Sequence, residues 1–600
     1  MSVVSSSLDR LRRDPGLAMI VVAVAAVVAI YAPTLGRGLV NYDDTWLVRD
    51  NFLLHQASWA SVHTILFDTS SATRFLLGAE YLPVRDLSVL ADLAVWGDWY
   101  PGHHLTSLLI YLGAIVVWFA ALDSLGIDRK LVGLAMLLWA VHPSHAESVA
   151  WISERKGLLG VAWCGLAVLG YARFRVGRSA SWLALAALAA VLAVWSKAPS
   201  VFTLAAIAGL ELALPARRRS WRRSLSGLAV LAAVSAAAFV PVLLVATRLS
   251  VVGTTDLAPA GWLAMVVGLH GFYLELAAML FRNAISYPIK SLGPSAVQIV
   301  LGAAGLLAVL AAAMVPAWNR WRPPPVIRAA AWVWLLGWFP ASRILLPLKA
   351  VLVSDRYALV PTLGFALAVA WLLQRIPARW SRLALGWAIL IAASVRTLDA
   401  QSNWRDSTSL FERAITSNPA DGEAWSYYAE ALESSGAPDR AVDVVSEGLR
   451  HSRSPRLLFR KALLVLSHGQ RPQAVVAMRQ AAEAGEPRAM SNLALLLLED
   501  GRPDEGLTWA RRAVAAAPMY SKAYRNLGTV ALATKHPEEA YTAFLRAYEL
   551  WPIELANRYN LAAALVELHR YEEARVHLDA CLLDPQVGDK AKALLLQLPR

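Results

Sequence analysis

Long apolar runs separated by short polar loops occupy the first 400 residues of the chain. A helix needs about 20 residues to cross the hydrocarbon core of a bilayer. Eleven segments approach or reach this length: 17–35, 105–122, 131–143, 157–172, 181–195, 199–215, 226–246, 296–316, 329–345, 358–374 and 383–398. The pattern therefore predicts an all-α fold class, beginning with a polytopic membrane helix bundle.

The loops between the apolar runs carry charge unevenly. Six of them are basic: 8–13, 128–130, 173–178, 217–223, 318–325 and 375–382. Lys and Arg concentrate in the cytoplasmic loops of membrane proteins. All six loops fall on that side if segment 262–287 is re-entrant or interfacial and does not cross. This arrangement predicts eleven crossings, an uncleaved signal anchor whose N-terminus is cytoplasmic, and a C-terminal region on the opposite side.

Beyond about residue 404 the apolar runs give way to an internal repeat. Small residues recur at Ala441, Ala474, Gly506, Ala540 and Ala574, at intervals of 33, 32, 34 and 34 residues. A period near 34 is typical of tetratricopeptide repeats, which stack as pairs of antiparallel helices. Five repeats follow a partial unit at 404–420: 423–454, 455–487, 488–520, 521–554 and 555–587.

The chain is thus predicted to contain a membrane domain, 1–400, and a tetratricopeptide solenoid, 401–600. A solenoid offers a concave surface to an extended peptide or a protein partner. The alternative is a scaffold that holds the protein in a complex and takes no part in chemistry.

Composition agrees with the membrane assignment. The chain is 57% hydrophobic and 17% charged, whereas soluble domains carry about a quarter charged residues. The net charge of +13 arises from basic residues in short loops, so membrane topology explains it and nucleic-acid binding is not indicated.

The two cysteines have no disulfide or zinc spacing. The sequence contains no Walker A loop, G-x-S-x-G elbow or Rossmann fingerprint.

Two adjacent carboxylates, Asp43 and Asp44, follow the first apolar run on the predicted outer side. A turn after Asn41 would explain a single Asp. A pair beside a bilayer is different, because two like charges cannot both ionise cheaply and burial raises the pKa of at least one. Such a carboxylate suits a general base or a ligand of a divalent cation.

Further ionisable residues gather on the same predicted side. They are Arg85, Asp86, His103, His104, His142, His145, Glu147, Glu154, Arg155 and Lys156. Ionisable groups within or beside membrane spans are costly and usually functional, so the group at 142–156 is predicted to line a substrate pocket. The His142–His145 spacing resembles a metal pair but has no clear third ligand. For the region 83–112 an interfacial aromatic belt with capping side chains is the alternative.

Two more cations lie on this side. Lys197 stands between two apolar runs, where it is either functional or a side chain that snorkels to the interface. The segment SDRYALVPTLGF places Asp355 and Arg356 at the outer end of a late span. A guanidinium forks onto phosphate oxygens, so Arg356 suits a lipid-linked phosphate. A surface ion pair with Asp355 is the alternative.

The order of these motifs resembles a known family. The acidic pair is followed by YLPVRDLSVL, GHHLTSLLIYL, HPSHAESVAWISERKGLL, SDRYALVPTLGF and the repeats. Over nearly the whole chain this order resembles the transmembrane and tetratricopeptide-repeat-containing O-mannosyltransferases and their bacterial relatives. The resemblance implies a GT-C glycosyltransferase fold, a polyprenyl-phosphate sugar as donor, and catalysis on the luminal or periplasmic side. Composition and short basic loops favour a bacterial inner membrane with periplasmic repeats.

The resemblance also implies roles for single residues. Asp43 or Asp44 would deprotonate an acceptor hydroxyl, of a protein Ser or Thr, which attacks the anomeric carbon with inversion. Arg356 would contact the donor phosphate, assisted by Lys197 or Arg155. The remaining predicted substrate-binding residues are His142, His145, Glu147, Arg85, His104 and Asp355.

This chain departs from the family pattern in two places. The family usually has Tyr-Arg-Pro-Leu where this chain has Tyr81-Leu82-Pro83-Val84-Arg85, and it often has Asn where this chain has Ser107. Mannose or another hexose is expected as the sugar, while the acceptor and a requirement for a divalent cation stay open. The alternatives are a membrane-anchored scaffold for periplasmic assembly and a GT-C transferase that acts on a glycan or lipid.

Overall fold

The computed structural model describes residues 13–177, 179–214, 221–249, 257–314, 323–344 and 353–599. The chain divides into two compact units, Met1–Asn418 and Pro419–Arg600, called here the membrane unit and the repeat unit. Within the described ranges every regular element is helical, which confirms the predicted fold class. The predicted basic loops 8–13, 217–223 and 318–325 lie largely outside the described residues.

The membrane unit consists of nineteen described α-helices joined by short 3₁₀ and π-helical turns. In chain order they are α1 (Pro15–Tyr31), α2 (Phe52–His55), α3 (Trp59–Phe67), α4 (Ser71–Leu76), α5 (Pro83–Trp96), α6 (Tyr100–Ser124), α7 (Arg129–Ala140), α8 (Ala146–Ala150), α9 (Arg155–Gly177), α10 (Ala180–Ser196), α11 (Ser200–Ala213), α12 (Trp221–Arg248), α13 (Pro259–Ala277), α14 (Pro288–Leu292), α15 (Ala296–Met314), α16 (Pro325–Trp338), α17 (Pro361–Arg375), α18 (Arg379–Ser402) and α19 (Ser407–Ser417).

Seven described helices, α1, α6, α9, α12, α13, α15 and α18, are long and apolar enough to cross a bilayer. The chain is therefore a multi-pass membrane protein. Five other predicted spans form shorter helices, α7, α10, α11, α16 and α17, of 12 to 17 residues. Every one of the eleven predicted segments thus corresponds to one helix of the structure, with α13 as an additional apolar helix.

Side-chain contacts sort the helix ends into two faces. On one face Arg129 forms ion pairs with Asp14 and Asp123, which joins the start of α1, the end of α6 and the start of α7. On the other, Arg37 donates to the carbonyl oxygen of Gln401 at 2.6 Å, which joins the end of α1 to the end of α18. We call this second face, with residues 32–99, 141–154, 197–199 and 353–360, the polar face.

Helix α13 covers most of the segment predicted to be re-entrant or interfacial. The preceding helix ends at Arg248, whose guanidinium donates to the Thr69 carbonyl of the polar face at 3.3 Å. Helix α13 itself ends at Ala277, whose carbonyl lies 3.0 Å from Nε2 of His142 on the same face. Helix α13 is long enough to cross, and the contact of Ala277 places its C-terminal end at the polar face.

Glycines allow the helices of the bundle to approach closely. A Cβ atom on Gly16 would lie 2.4 Å from the carbonyl oxygen of Arg129, and one on Gly133 would lie 2.7 Å from the carbonyl oxygen of Gly16. Helices α1 and α7 therefore touch backbone to backbone. Small residues at such crossings are the usual basis of helix association in membranes, where the hydrophobic effect does not drive it.

The repeat unit contains five helix pairs and a final helix. They are α20 (Gly422–Ser434) and α21 (Pro438–His451), α22 (Pro455–Ser467) and α23 (Arg471–Glu483), α24 (Pro487–Glu499) and α25 (Pro503–Ala516), α26 (Ser521–Ala533) and α27 (Pro537–Leu550), α28 (Leu555–Glu567) and α29 (Tyr571–Asp579), and α30 (Gly588–Gln597). The small residues of the predicted period are buried where paired helices cross: a Cβ on Gly506 would meet the Ala494 carbonyl at 2.7 Å.

The partial repeat at 404–420 falls mainly within the membrane unit. Phe411 of α19 contacts Tyr42, with ring centroids 6.2 Å apart, and Trp404 stacks on Trp151 at 5.1 Å. The compact units separate after Asn418, whereas the sequence places the boundary at 400. The boundary lies later in the structure because aromatic contacts between residues distant in sequence attach α19 and the residues before it to the membrane unit.

Candidate active site

A cavity of about 330 Å³ is lined by residues of the polar face and by the ends of the adjacent helices. Its wall has a charged part and an apolar part. Two carboxylates and four cations line it, namely Asp43, Glu80, Arg85, Lys156, Lys197 and Arg356. An apolar part follows, formed by Phe202, Phe239, Val242, Leu243, Ala246, Phe339 and Pro340. A concave site of this kind, mostly apolar with few converging polar groups, is typical of ligand binding.

Asp44 lies behind the wall of this cavity. The chain leaves α1 through a 3₁₀ turn and reaches the acidic pair just before the π-helical turn Thr45–Arg49. Oδ1 of Asp44 accepts hydrogen bonds from the backbone N–H of Ser153 at 3.0 Å and its hydroxyl at 2.5 Å, and Oδ2 accepts from the Val40 N–H at 3.2 Å. Burial raises the pKa of Asp44 to about 6, although these hydrogen bonds oppose the shift.

Asp43, the neighbouring carboxylate, faces the cavity. Its Oδ1 accepts a hydrogen bond from Nε1 of Trp46 at 3.2 Å. The two adjacent acids therefore have different surroundings, because consecutive residues of a helical turn point in different directions. Asp43 can touch a ligand in the cavity, whereas Asp44 ties the turn to Ser153.

Glu80 organises a first cationic cluster. Its Oε2 lies 2.7 Å from Nζ of Lys156 and 3.2 Å from Nη1 of Arg85, and Arg85 also forms an ion pair with Asp86 at 2.7 Å. Burial alone would raise the pKa of Glu80, but Lys156 and Arg85 outweigh it and lower this pKa to about 2. Glu80 is therefore a fixed negative charge at neutral pH.

Lys197 and Arg356 form a second cationic cluster. Lys197 is hydrogen-bonded to Oε1 of Glu154, and Nε of Arg356 lies 3.6 Å from Oε2 of the same carboxylate. Arg356 also contacts Oε1 of Glu147 through Nη1 at 2.6 Å. Neither Glu147 nor Glu154 lines the cavity, so this part of the wall presents cations while the carboxylates hold them from behind.

A glycine at the start of α9 makes room for this second cluster. A Cβ atom on Gly157 would lie 2.7 Å from Oε1 of Glu154 and 3.2 Å from Nζ of Lys197. Any side chain at this position would displace one of the two charged groups. The Glu154–Lys197 ion pair therefore depends on the bare backbone of Gly157.

Five of the predicted residues line the cavity, namely Asp43, Arg85, Lys156, Lys197 and Arg356. Arg155 does not: it is fully buried, and its Nη2 contacts Asp92 at 2.5 Å while its Nε donates to Ser107 at 3.1 Å. These contacts join α5, α6 and α9. His104 is likewise buried within α6 and does not line the cavity.

His142 and His145 connect helices beneath the polar face. Nε2 of His142 contacts the Ala277 carbonyl, as described above, and its Nδ1 lies 2.7 Å from the Ser144 hydroxyl. His145 lies between the hydroxyls of Tyr111 at 2.7 Å and Thr362 at 2.9 Å. Both histidines have partners on both ring nitrogens and lie outside the cavity wall.

Asp355 and Glu147 also lie outside the wall. Asp355 accepts hydrogen bonds from the Tyr287 hydroxyl at 2.5 Å and the Asn283 amide at 2.7 Å. Burial and the neighbouring Glu147 raise the pKa of Asp355. Glu147 accepts from the Ser354 hydroxyl and from the backbone N–H of Arg356 at 2.9 Å. Both acids therefore set the conformation of the loop that carries Arg356.

Sequence reasoning did not single out Glu80 or Trp46, which both line the cavity. Neither belongs to a dense polar cluster in the chain. Trp46 follows the acidic pair by two residues, which was an available signal. Glu80 becomes conspicuous only when folding brings Lys156, 76 positions away, into contact with it.

The geometry gives no support to a protein-ligated metal at the acidic pair. Within the described residues no three His, Cys, Asp or Glu side chains converge as a metal site would require. Asp43 and Asp44 also have separate partners, Trp46 for one and Ser153 for the other.

Comparisons with known proteins found a match to the repeats and relatives that align with both the membrane unit and the repeat unit. A tetratricopeptide repeat family model matches residues 393–454 and 459–521. The chain is 23% identical to human Protein O-mannosyl-transferase TMTC3 over 92% of its own length and 66% of that protein. It is 24% identical to Protein O-mannosyl-transferase Tmtc1 of Drosophila melanogaster, over 66% of this chain and 57% of the relative.

The chain is therefore a distant relative of these proteins, which confirms the predicted resemblance. It spans about two thirds of the length of the human relative it matches. Among solved structures, the tetratricopeptide protein YrrB matches 31% of this chain and 99% of its own, at 20% identity and a TM-score of 0.26. The tetratricopeptide repeats are thus found by the sequence period, by the helix pairs and by the family model.

Proposed function

We propose that this protein is an inverting glycosyltransferase that transfers a hexose, such as mannose, from a polyprenyl-phosphate donor to Ser or Thr hydroxyls of a protein. The observation that carries the proposal is the cavity, whose wall combines two carboxylates, four cations and an apolar part. A lipid-linked sugar has matching parts: a hydroxyl-rich ring, an anionic phosphate and a hydrocarbon chain. The names of the relatives are consistent with this activity.

The donor phosphate is assigned to the second cationic cluster. Lys197 and Arg356 contribute positive charge to the wall. Pro199 and Phe202, which follow Lys197 closely in the chain, line the apolar part. A phosphate bound there would leave its hydrocarbon chain against Phe202, Phe239 and their neighbours. Cations at this position stabilise the negative charge that develops on the leaving phosphate.

Asp43 is assigned as the general base. The acceptor hydroxyl gives its proton to the Asp43 carboxylate while its oxygen forms a bond to the anomeric carbon. The bond between that carbon and the phosphate oxygen breaks, and the lipid phosphate leaves with the electron pair. Asp44 is assigned as a positioning residue, because its bonds to Ser153 hold the turn that presents Asp43.

The repeat unit is assigned to acceptor binding, since tetratricopeptide solenoids bind peptides and proteins on their concave surface. We assign the polar face and the repeats to the periplasmic side of a bacterial inner membrane, which places the basic loops in the cytoplasm.

Substitution of the base tests this proposal. Purified Asp43→Asn should lose transfer of mannose from undecaprenyl-phosphate mannose to Ser- and Thr-containing peptides by about 10²–10⁴-fold, the usual contribution of a general base. Asp50→Asn is the matched control, because Asp50 belongs to the same segment but pairs with Arg49 at the surface. Equal activity of both variants would refute the assignment of Asp43, and no transfer by the wild type to any peptide would refute a protein acceptor.

A further inference from the structure

The cavity contains a region that the reaction as proposed leaves without a role. Trp46, Glu80 and Arg85 line the wall and are linked to Asp43 by contacts: Trp46 donates to Asp43, its indole and the Arg85 guanidinium both lie near the Cβ position of Gly78, and Arg85 pairs with Glu80. If the donor phosphate lies at Lys197 and Arg356, and the acceptor hydroxyl lies at Asp43, the sugar must occupy the space between them. The sugar is then in contact with this region.

The sign of the charge distinguishes this region from the phosphate site. Glu80 itself lines the cavity, whereas the carboxylates that pair with Lys197 and Arg356 do not. A carboxylate in the wall repels a phosphate but accepts hydrogen bonds from hydroxyl groups. The first cluster therefore suits a neutral, hydroxyl-rich ligand.

Glu80 is also held in a suitable orientation. Its two described ion-pair contacts, to Lys156 and Arg85, both use Oε2. The side chain is 37% exposed, so Oε1 is open to a ligand in the cavity. An acceptor that two cations hold in place loses little conformational freedom when it binds a hydroxyl.

Trp46 supplies a flat surface beside this carboxylate. Its Nε1 donates to Asp43, and the far edge of the indole rests on Gly78, where a Cβ atom would lie 2.7 Å from Cη2. Gly78 has a φ of +85°, a conformation that favours glycine. The indole is thus fixed at both ends, with the cavity along its side. The C–H groups of a pyranose ring pack well on such an aromatic surface.

We propose that Trp46 and Glu80 form the sugar subsite of the donor, with Trp46 packing against the pyranose ring and Glu80 accepting hydrogen bonds from its hydroxyls. This proposal rests on the proposed function and adds to it the residues that select the sugar. Glu80 is the specificity-determining residue, because the positions of its hydrogen bonds depend on which hydroxyls are axial and which are equatorial.

Binding of two lipids tests the subsite. Affinities of the full-length protein would be measured for undecaprenyl phosphate and for undecaprenyl-phosphate mannose. Glu80→Gln should bind the mannosylated lipid about tenfold or more weakly, the usual loss for a hydrogen bond to a charged group, and the bare lipid phosphate within about twofold of wild type. Trp46→Leu should show the same selective loss. Lys197→Ala should weaken both lipids.

Glu211→Gln is the matched control, because Glu211 is a buried carboxylate that pairs with Arg175 outside the cavity. Thermal unfolding of each purified variant reports whether it is folded. Equal weakening of both lipids by Glu80→Gln, or unchanged binding of both by Glu80→Gln and Trp46→Leu, would overturn the sugar subsite while leaving the transferase intact. Absence of binding of either lipid to the wild type would overturn the proposed function itself.

Discussion

The two units of this protein use charge in opposite ways. In the membrane unit, Arg155 and Asp92 form an ion pair whose side chains are 0% and 7% exposed. In the repeat unit, Arg511 and Glu539 form a pair with 52% and 30% exposure. Exposed pairs contribute little to stability, whereas a buried pair costs desolvation that only good geometry offsets. The buried charges of the membrane unit therefore depend on well-formed pairs. Some of these pairs join helices, as Arg155 and Asp92 do, and others hold a cation of the cavity wall, as Glu154 holds Lys197.

Removal of one partner of the buried pair is the strongest test of this difference. Arg155→Ala leaves Asp92 buried without its cation, which typically costs about 3–5 kcal/mol. We expect a large loss of thermal stability in detergent, because Arg155 also joins three helices. Arg155→Lys keeps the charge and should recover part of the loss. Unchanged stability of Arg155→Ala would show that this pair is not a structural requirement.

The buried Asp44 makes the membrane unit sensitive to pH. Its folded pKa is raised to about 6 from the ordinary value of 3.8, so the folded state is favoured by protonation. This contribution is fully present below about pH 4 and is lost as the pH rises through 6, a change of about 3 kcal/mol. Asp44→Asn should abolish it.

The measurement is the free energy of unfolding of wild type and Asp44→Asn at pH 4 to 7. The stability of the wild type relative to the variant should fall as the pH rises across this range. A difference that stays constant with pH would contradict the assignment of a raised pKa to Asp44.

Substitution of Gly157, which packs against the second cationic cluster, should destabilise the protein less and only locally. Gly157→Ala places a Cβ 2.7 Å from Glu154 and 3.2 Å from Lys197, and such overpacking costs about 1–3 kcal/mol. We expect weaker binding of undecaprenyl phosphate. Gly113→Ala, in the middle of α6 with no heavy atom within 4 Å of its Cβ, is the control. If both variants bound undecaprenyl phosphate with equal affinity, the bare backbone of Gly157 would not be required for phosphate binding.

The smallest effect is expected in the repeat unit. Arg511→Ala removes the exposed pair with Glu539 and should cost less than about 1 kcal/mol, measured as a change in the unfolding temperature of the full chain. Salt should reduce even this effect, because it screens exposed charges. If Arg511→Ala lost as much stability as Arg155→Ala, exposed and buried ion pairs would contribute equally and the proposed difference between the two units would be wrong.

Sequence reasoning predicted the fold more completely than the site. The helix positions followed from apolar length and from the period of 34, since both signals are local and repeated. The cavity was predicted only in part. Asp43, Arg85, Lys156, Lys197 and Arg356 line it, whereas Arg155, His104, His145 and Asp355 are buried and do not line it. From sequence, a buried ionisable residue near a membrane looks the same whether it faces a ligand or another helix.

The sequence by itself determined the class of structure: an apolar bundle, a basic and a polar set of loops, and five stacked helix pairs. It determined these because hydrophobic length, charge bias and repeat period are properties of neighbouring residues. The tertiary structure decided which carboxylate of Asp43 and Asp44 faces the cavity. It also brought Glu80 to Lys156 and Glu154 to Lys197, since the position of a side chain depends on residues that are distant in the chain and adjacent only after folding.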